Sequence, residues 1–219
     1  MKTKIFSDSI ERPSRLADLG LDEGFLLEAV QRGHAAWANC TMNHPPSFPG
    51  LSAWAEITCG LREIMLPLGW ERSDEGNLPF TVNRTRTLAI TVATGDEDTG
   101  RRDGSPCTRS KKGPQTSNAV KQNVLQNTLF GDIRLRPEDL KLIDGRMTWI
   151  LLFHIDLTAA EVRCELSLPT KMNSEDHIDG WQERIILSSM PFGSDSVKMK
   201  APDVPQTPII EVNIKRRHA

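Results

Sequence analysis

The stretch MTWILLFHIDLTAAEVRCELSLP, residues 147–169, limits what this chain can fold into more than any other segment. Two runs of aliphatic, aromatic and β-branched residues flank Leu157-Thr158-Ala159-Ala160, and side chains on an extended backbone alternate between two faces. With 157–160 as the connecting loop, Trp149, Leu151, Phe153 and Ile155 share a face with Val162, Cys164, Leu166 and Leu168. That face is entirely apolar and is expected to be core. The opposite face carries His154, Asp156, Glu161, Arg163 and Glu165 beside Ile150 and Leu152.

Other segments supply partners for this hairpin. Residues 22–38 place Leu26, Val30 and Trp37 at helical spacing behind an acidic first turn, and Trp54, Ile57, Leu61 and Ile64 do the same over 52–65, with Pro67 as the stop. The proline-rich stretch NCTMNHPPSFPG between them, with His44, reads as a loop. PFTVNRT and TLAITVATG are threonine- and β-branched-rich and close together, the signature of a strand pair. PQTSNAVKQNVLQN is a weakly apolar helix capped by Thr116 or Ser117, and RPEDLKLIDG a short helix with an early proline. WQERIILSS reads as a further strand, with Trp181 sealing the core where it begins.

The class expected is α+β: two N-terminal helices packed on a mainly antiparallel sheet of five or six strands. One domain spans 1–187, and 188–219 form a proline-rich arm with a last strand in PIIEVNIK and a basic tail. With 38% hydrophobic and 26% charged residues, the 219-residue chain has enough apolar content for a sizeable core. Its net charge of −2 gives no global attraction to a polyanion or an anionic membrane, so such binding requires a local patch. No leader-like or membrane-length apolar run occurs, and a cytoplasmic protein with no membrane partner is expected. The four cysteines are dispersed without a Cys-x-x-Cys pair, so reduced thiols are expected.

The segment ATGDEDTGRRDGSPCTRSKKGPQT, residues 93–116, is the most unusual in charge. Gly95 and Gly100 have phosphate-loop spacing after a strand, but the required lysine and hydroxyl are replaced by Arg101 and Arg102, and Asp96, Glu97 and Asp98 would repel phosphate. From 101 to 112, the bases Arg101, Arg102, Arg109, Lys111 and Lys112 face a single acid, Asp103, for a local charge of +4. Such a patch suits a phosphate backbone or an acidic partner surface. Stacking on bases is not available, because no aromatic lies between Phe80 and Phe130. The tail bases Lys215, Arg216 and Arg217 extend the set.

Two chemical readings compete with binding. Asp96 and Asp98 at a strand end, with His154 and Asp156 on the hairpin, are types that hold a divalent cation, and the tripeptide His-Ile-Asp recurs at 177–179. His154, Asp156, Arg163 and Glu165 form a candidate metal-free acid/base set, with Arg163 as anion holder; the simpler reading is cross-strand pairing, since His154 should oppose Arg163. Cys107 lies among bases in sequence, an arrangement that lowers a thiol pKa. No catalytic set is complete. The expectation is a non-enzymatic intracellular accessory or adaptor protein that binds a protein partner or a nucleic-acid backbone through the loop and arm, with no cofactor. A metal-dependent hydrolase or nuclease is the alternative.

Overall fold

A computed structural model describes residues 3–129 and 145–192. Its strands are β1 (Lys4–Phe6), β2 (Glu71–Ser73), β3 (Phe80–Val82), β4 (Leu88–Thr94), β5 (Met147–Asp156), β6 (Glu161–Met172), β7 (Ile178–Ile186) and β8 (Met190–Pro191). The helices are α1 (Glu11–Asp18), α2 (Glu23–Ala38), α3 (Phe48–Met65) and α4 (Pro114–Leu129). The strands form one sheet in the order β1-β7-β6-β5-β4-β3-β2, with β8 beside the start of β6. The class is α+β as expected, but the described residues contain eight strands rather than five or six, and the pairs β1–β7 and β4–β5 are parallel.

The hairpin has the predicted turn and faces. Phe153 pairs with Cys164 and Leu151 with Leu166, and their shared face packs under α1, α2 and α3. The two longer helices touch closely because Gly33 has no side chain: a Cβ there would stand 2.2 Å from Ile57 Cγ1 and 2.7 Å from the Ala53 carbonyl oxygen. α3 begins at Phe48, four residues before the expected start, and so includes Pro49 and Gly50 from the segment read as loop. Proline is tolerated there because first-turn N–H groups have no intrahelical acceptor. β1 and α1 have no counterpart in the sequence pattern; three extended residues and an eight-residue helix carry too little local signal.

α4 also starts early, at Pro114, which puts Thr116 and Ser117 inside its first turn rather than at its cap. It packs on the second face of the sheet against β5 and β6, where Val120 meets Ile150, Leu152, Ala93, Ile178 and Trp181. Its tie to the sheet is polar. The ladder between β5 and β6 runs only as far as Ile150 and Ser167, short of Pro169, which has no N–H to donate. The fully buried Asn123 side chain fills that place: its Nδ2 donates to Thr148 O (2.9 Å) and Pro169 O (3.0 Å), and its Oδ1 accepts from Thr148 N (2.8 Å).

At the start of β5, Arg146 donates to both carboxylate oxygens of Glu75 at 3.0 Å, and these bonds hold the Glu75 carboxyl down at about 2. A depressed folded-state pKa stabilises above the ordinary glutamate value, and that contribution disappears as pH falls toward 2. Glu75 is half exposed, so solvent screening keeps the effect below about 1 kcal/mol. Urea midpoints at pH 6 and pH 2.5 should therefore differ less in Arg146→Leu than in wild type.

The short helix expected in RPEDLKLIDG, the strand expected in PIIEVNIK and the basic tail lie wholly or largely outside the described residues. No described helix is long and apolar enough to cross a membrane.

A candidate partner-binding loop clamped from beneath

β4 ends at Thr94, and the charged segment that follows folds back on itself over the second face of the sheet. Gly95 donates to Phe153 O (2.9 Å) and bridges to Thr108, while Asp96 N donates to Cys107 O (3.0 Å), so the base of the loop is closed. Two acids hold it in shape. Asp96 accepts from the N–H groups of Asp98 (3.2 Å) and Cys107 (2.9 Å), and Asp98 accepts from Ser105 N (3.0 Å). Burial raises the Asp96 pKa above the usual carboxylate value against those bonds. Glu97 alone of the three acids is exposed.

Two arginines on the sheet hold the loop from below. Arg163 donates through Nε to Thr99 O (3.0 Å) and through Nη2 to Glu97 O (2.8 Å), while its Nη1 pairs with Asp156 (3.0 Å) and Glu161 (3.2 Å). Arg184 donates to Gly104 O (2.6 Å) and Arg101 O (2.9 Å), and its fork is closed by Glu165 at 2.9 and 2.6 Å. Glu165 further accepts from Gly100 N (2.9 Å) and Ser167 Oγ (2.7 Å). Glu165 is completely buried and Arg184 nearly so. The charged face of the hairpin is therefore an internal layer.

Gly100 allows this approach, since its φ is +72° and a Cβ would stand 2.8 Å from Arg163 Cβ. The far limb is tied down by Trp181, whose indole N–H donates to Pro106 O (2.7 Å), and by Ile178 N, which donates to Thr108 Oγ1 (3.0 Å).

The loop's own cations point the other way. Arg101, Arg102, Arg109 and Lys111 are exposed; Lys112 is half-buried, and burial lowers its ammonium pKa. Arg101 lies 3.8 Å from Asp156, whereas Arg109 and Lys111 make no ion pair among the described residues. Lys215, Arg216 and Arg217 lie outside the described residues.

The groups proposed for chemistry are engaged in structure. His154 does oppose Arg163, with its Nδ1 3.4 Å from Gly95 O, and Asp156 caps the turn by accepting from Thr158 N and Ala159 N at 3.0 Å. The Ala159 bond, with Thr158 and Arg163 adding to it, lowers the Asp156 pKa. His177 bonds to Thr108 O and Asp179 to Lys171. Among the described residues, no three His, Cys, Asp or Glu side chains gather in a way that could hold a metal ion.

The expected activation of Cys107 is reversed. Burial, followed by the charges of Asp96 in the loop and of Asp179 and Glu175 from β7 and the turn before it, raises its thiol pKa.

No protein-family model matches the chain, and neither does any curated protein or solved structure. The reading of its function rests on its own residues. Arg184 does not stand out in the sequence; a lone arginine inside a strand says nothing of its partner until the register is known.

Proposed function

We propose that this chain is a non-enzymatic binding module whose clamped loop presents cations to a polyanionic macromolecular partner, either a nucleic-acid backbone or an acidic protein surface. The observation that carries this reading is the division of labour among arginines. Arg163 and Arg184 are used inward to hold loop carbonyls, while Arg101, Arg102 and Arg109, with Lys111, remain exposed. A loop held in place before binding incurs little ordering cost, so its cations contribute more of their attraction to affinity. Lys215, Arg216 and Arg217 would add to the same field. The hydrolase alternative has less support, because Asp96, Asp98 and Asp156 are already occupied with backbone N–H groups.

The test is fluorescence anisotropy with labelled duplex DNA, single-stranded RNA and polyglutamate across a salt series. Affinity should fall linearly on a log–log plot. Changing Arg101, Arg102, Arg109 and Lys111 together to alanine should reduce the slope by up to about four, roughly one for each phosphate no longer neutralised. Binding to polyglutamate alone would select a protein partner. Polyanion binding indifferent to these four positions would remove the loop from the interface.

A further inference from the structure

Beyond macromolecular binding, we propose that the cleft between α2, α3 and the far limb of the loop is a small-molecule site for an organic anion with a flat apolar body. The cleft has a volume of about 800 Å³, within the range of small-molecule pockets. Trp37 from the end of α2 and Trp54 from α3 line it, together with Pro49 and Leu51. The Trp54 indole is pinned by its N–H, which donates to Val92 O (3.1 Å). A fixed aromatic wall favours a planar apolar ligand, since it needs no ordering on binding.

An exposed apolar side chain adds to the walls. Of eight large exposed hydrophobics among the described residues, Leu51 lines the cleft, and Phe48 lies three positions before it at the start of α3.

Charge decides the sign of the ligand. Arg109 and Ser110 line the cleft together with the two indoles, and among the described residues no carboxylate lines it. Arg109 has no ion-pair partner among the described residues, so its fork is free to take a carboxylate, sulfonate or phosphate in two parallel hydrogen bonds. The first turn of α3 opens on the same space without an acidic residue, and its dipole adds to the attraction. A polymer backbone would require further cations along its track, and among the described residues Arg109 is the one cation that lines this cleft.

The probe is 1-anilinonaphthalene-8-sulfonate, a flat aromatic anion whose emission rises out of water, with uncharged N-phenyl-1-naphthylamine as its counterpart. Both are titrated into the full chain. The sulfonate should saturate a single site. Arg109→Ala should weaken it about tenfold and leave the uncharged compound unaffected. Gly50→Leu should block both: Gly50 lines the cleft and a Cβ there meets nothing within 4 Å, so a larger side chain is accepted without a clash, takes up space at the cleft wall and also favours the helix. Near-UV circular dichroism checks that each variant is folded.

Absence of saturable sulfonate binding, or equal binding by wild type, Arg109→Ala and Gly50→Leu, would overturn the proposal. Arg101→Ala/Arg102→Ala separates it from the loop reading, because that variant should lose polyanion affinity and keep the sulfonate site.

Discussion

Glu165→Ala should destabilise the protein by about 3–5 kcal/mol, a large fraction of what holds a domain of this size folded. The change removes the carboxylate that closes the Arg184 fork and leaves a guanidinium in a fully enclosed place with its charge unmatched. It also frees Gly100 N–H and Ser167 Oγ, each of which loses its acceptor. Urea unfolding measures the loss. The double variant Glu165→Leu/Arg184→Met should recover much of it, because an apolar pair needs no partner. Stability and loop order should then separate. With Arg184 gone, Gly104 O loses the guanidinium and Arg101 O keeps only the longer bond from Gly104 N (3.3 Å), so amide exchange over 98–105 should quicken even in the recovered protein. Exchange as slow as wild type would mean that the clamp does not order the loop.

Asn123→Leu should cost about 3–5 kcal/mol for a different reason. Its amide replaces a missing rung between β5 and β6, and leucine would leave Thr148 N, Thr148 O and Pro169 O buried without partners at about 1–3 kcal/mol each, partly offset by apolar packing. Asn123→Asp retains the acceptor for Thr148 N but sets a carboxylate against two carbonyl oxygens, and it should be no more stable than Asn123→Leu near neutral pH. Thermal unfolding of both variants checks the order. A loss below about 1 kcal/mol in either would show that β5 and β6 close their own gap.

How far the fold could be read depended on whether the controlling pattern was local. The faces of the hairpin were legible because alternation has a period of two and the turn residues lie between the runs: Trp149, Leu151 and Phe153 are buried where alternation places them. α4 was barely legible in energetic terms, since its decisive residue is one asparagine whose partners, Thr148 and Pro169, lie about 25 and 46 positions away. The loop misled in a more instructive way. Its acids and bases are segregated along the chain, but folding turns Asp96 and Asp98 inward onto N–H groups and leaves Arg109 and Lys111 in solvent. Linear charge therefore failed at Cys107, whose sequence neighbours are basic and whose neighbours in space are acidic. The purpose of Arg163 and Glu165 was equally hidden, because the carbonyls and N–H groups they bind carry no side-chain signal.

The pairing of β1 with β7 has a consequence for how the protein is made. Residues 4–6 find their partners at 183–185, about 180 positions further along the chain. During synthesis β1, α1, α2 and α3 leave the ribosome long before the strands that cover their apolar faces. Pairings this distant slow folding, and the waiting surface is the kind that chaperones recognise. Arrest of translation before residue 178 should leave a nascent chain sensitive to protease throughout its first sixty residues, with resistance arriving late and abruptly as β7 emerges.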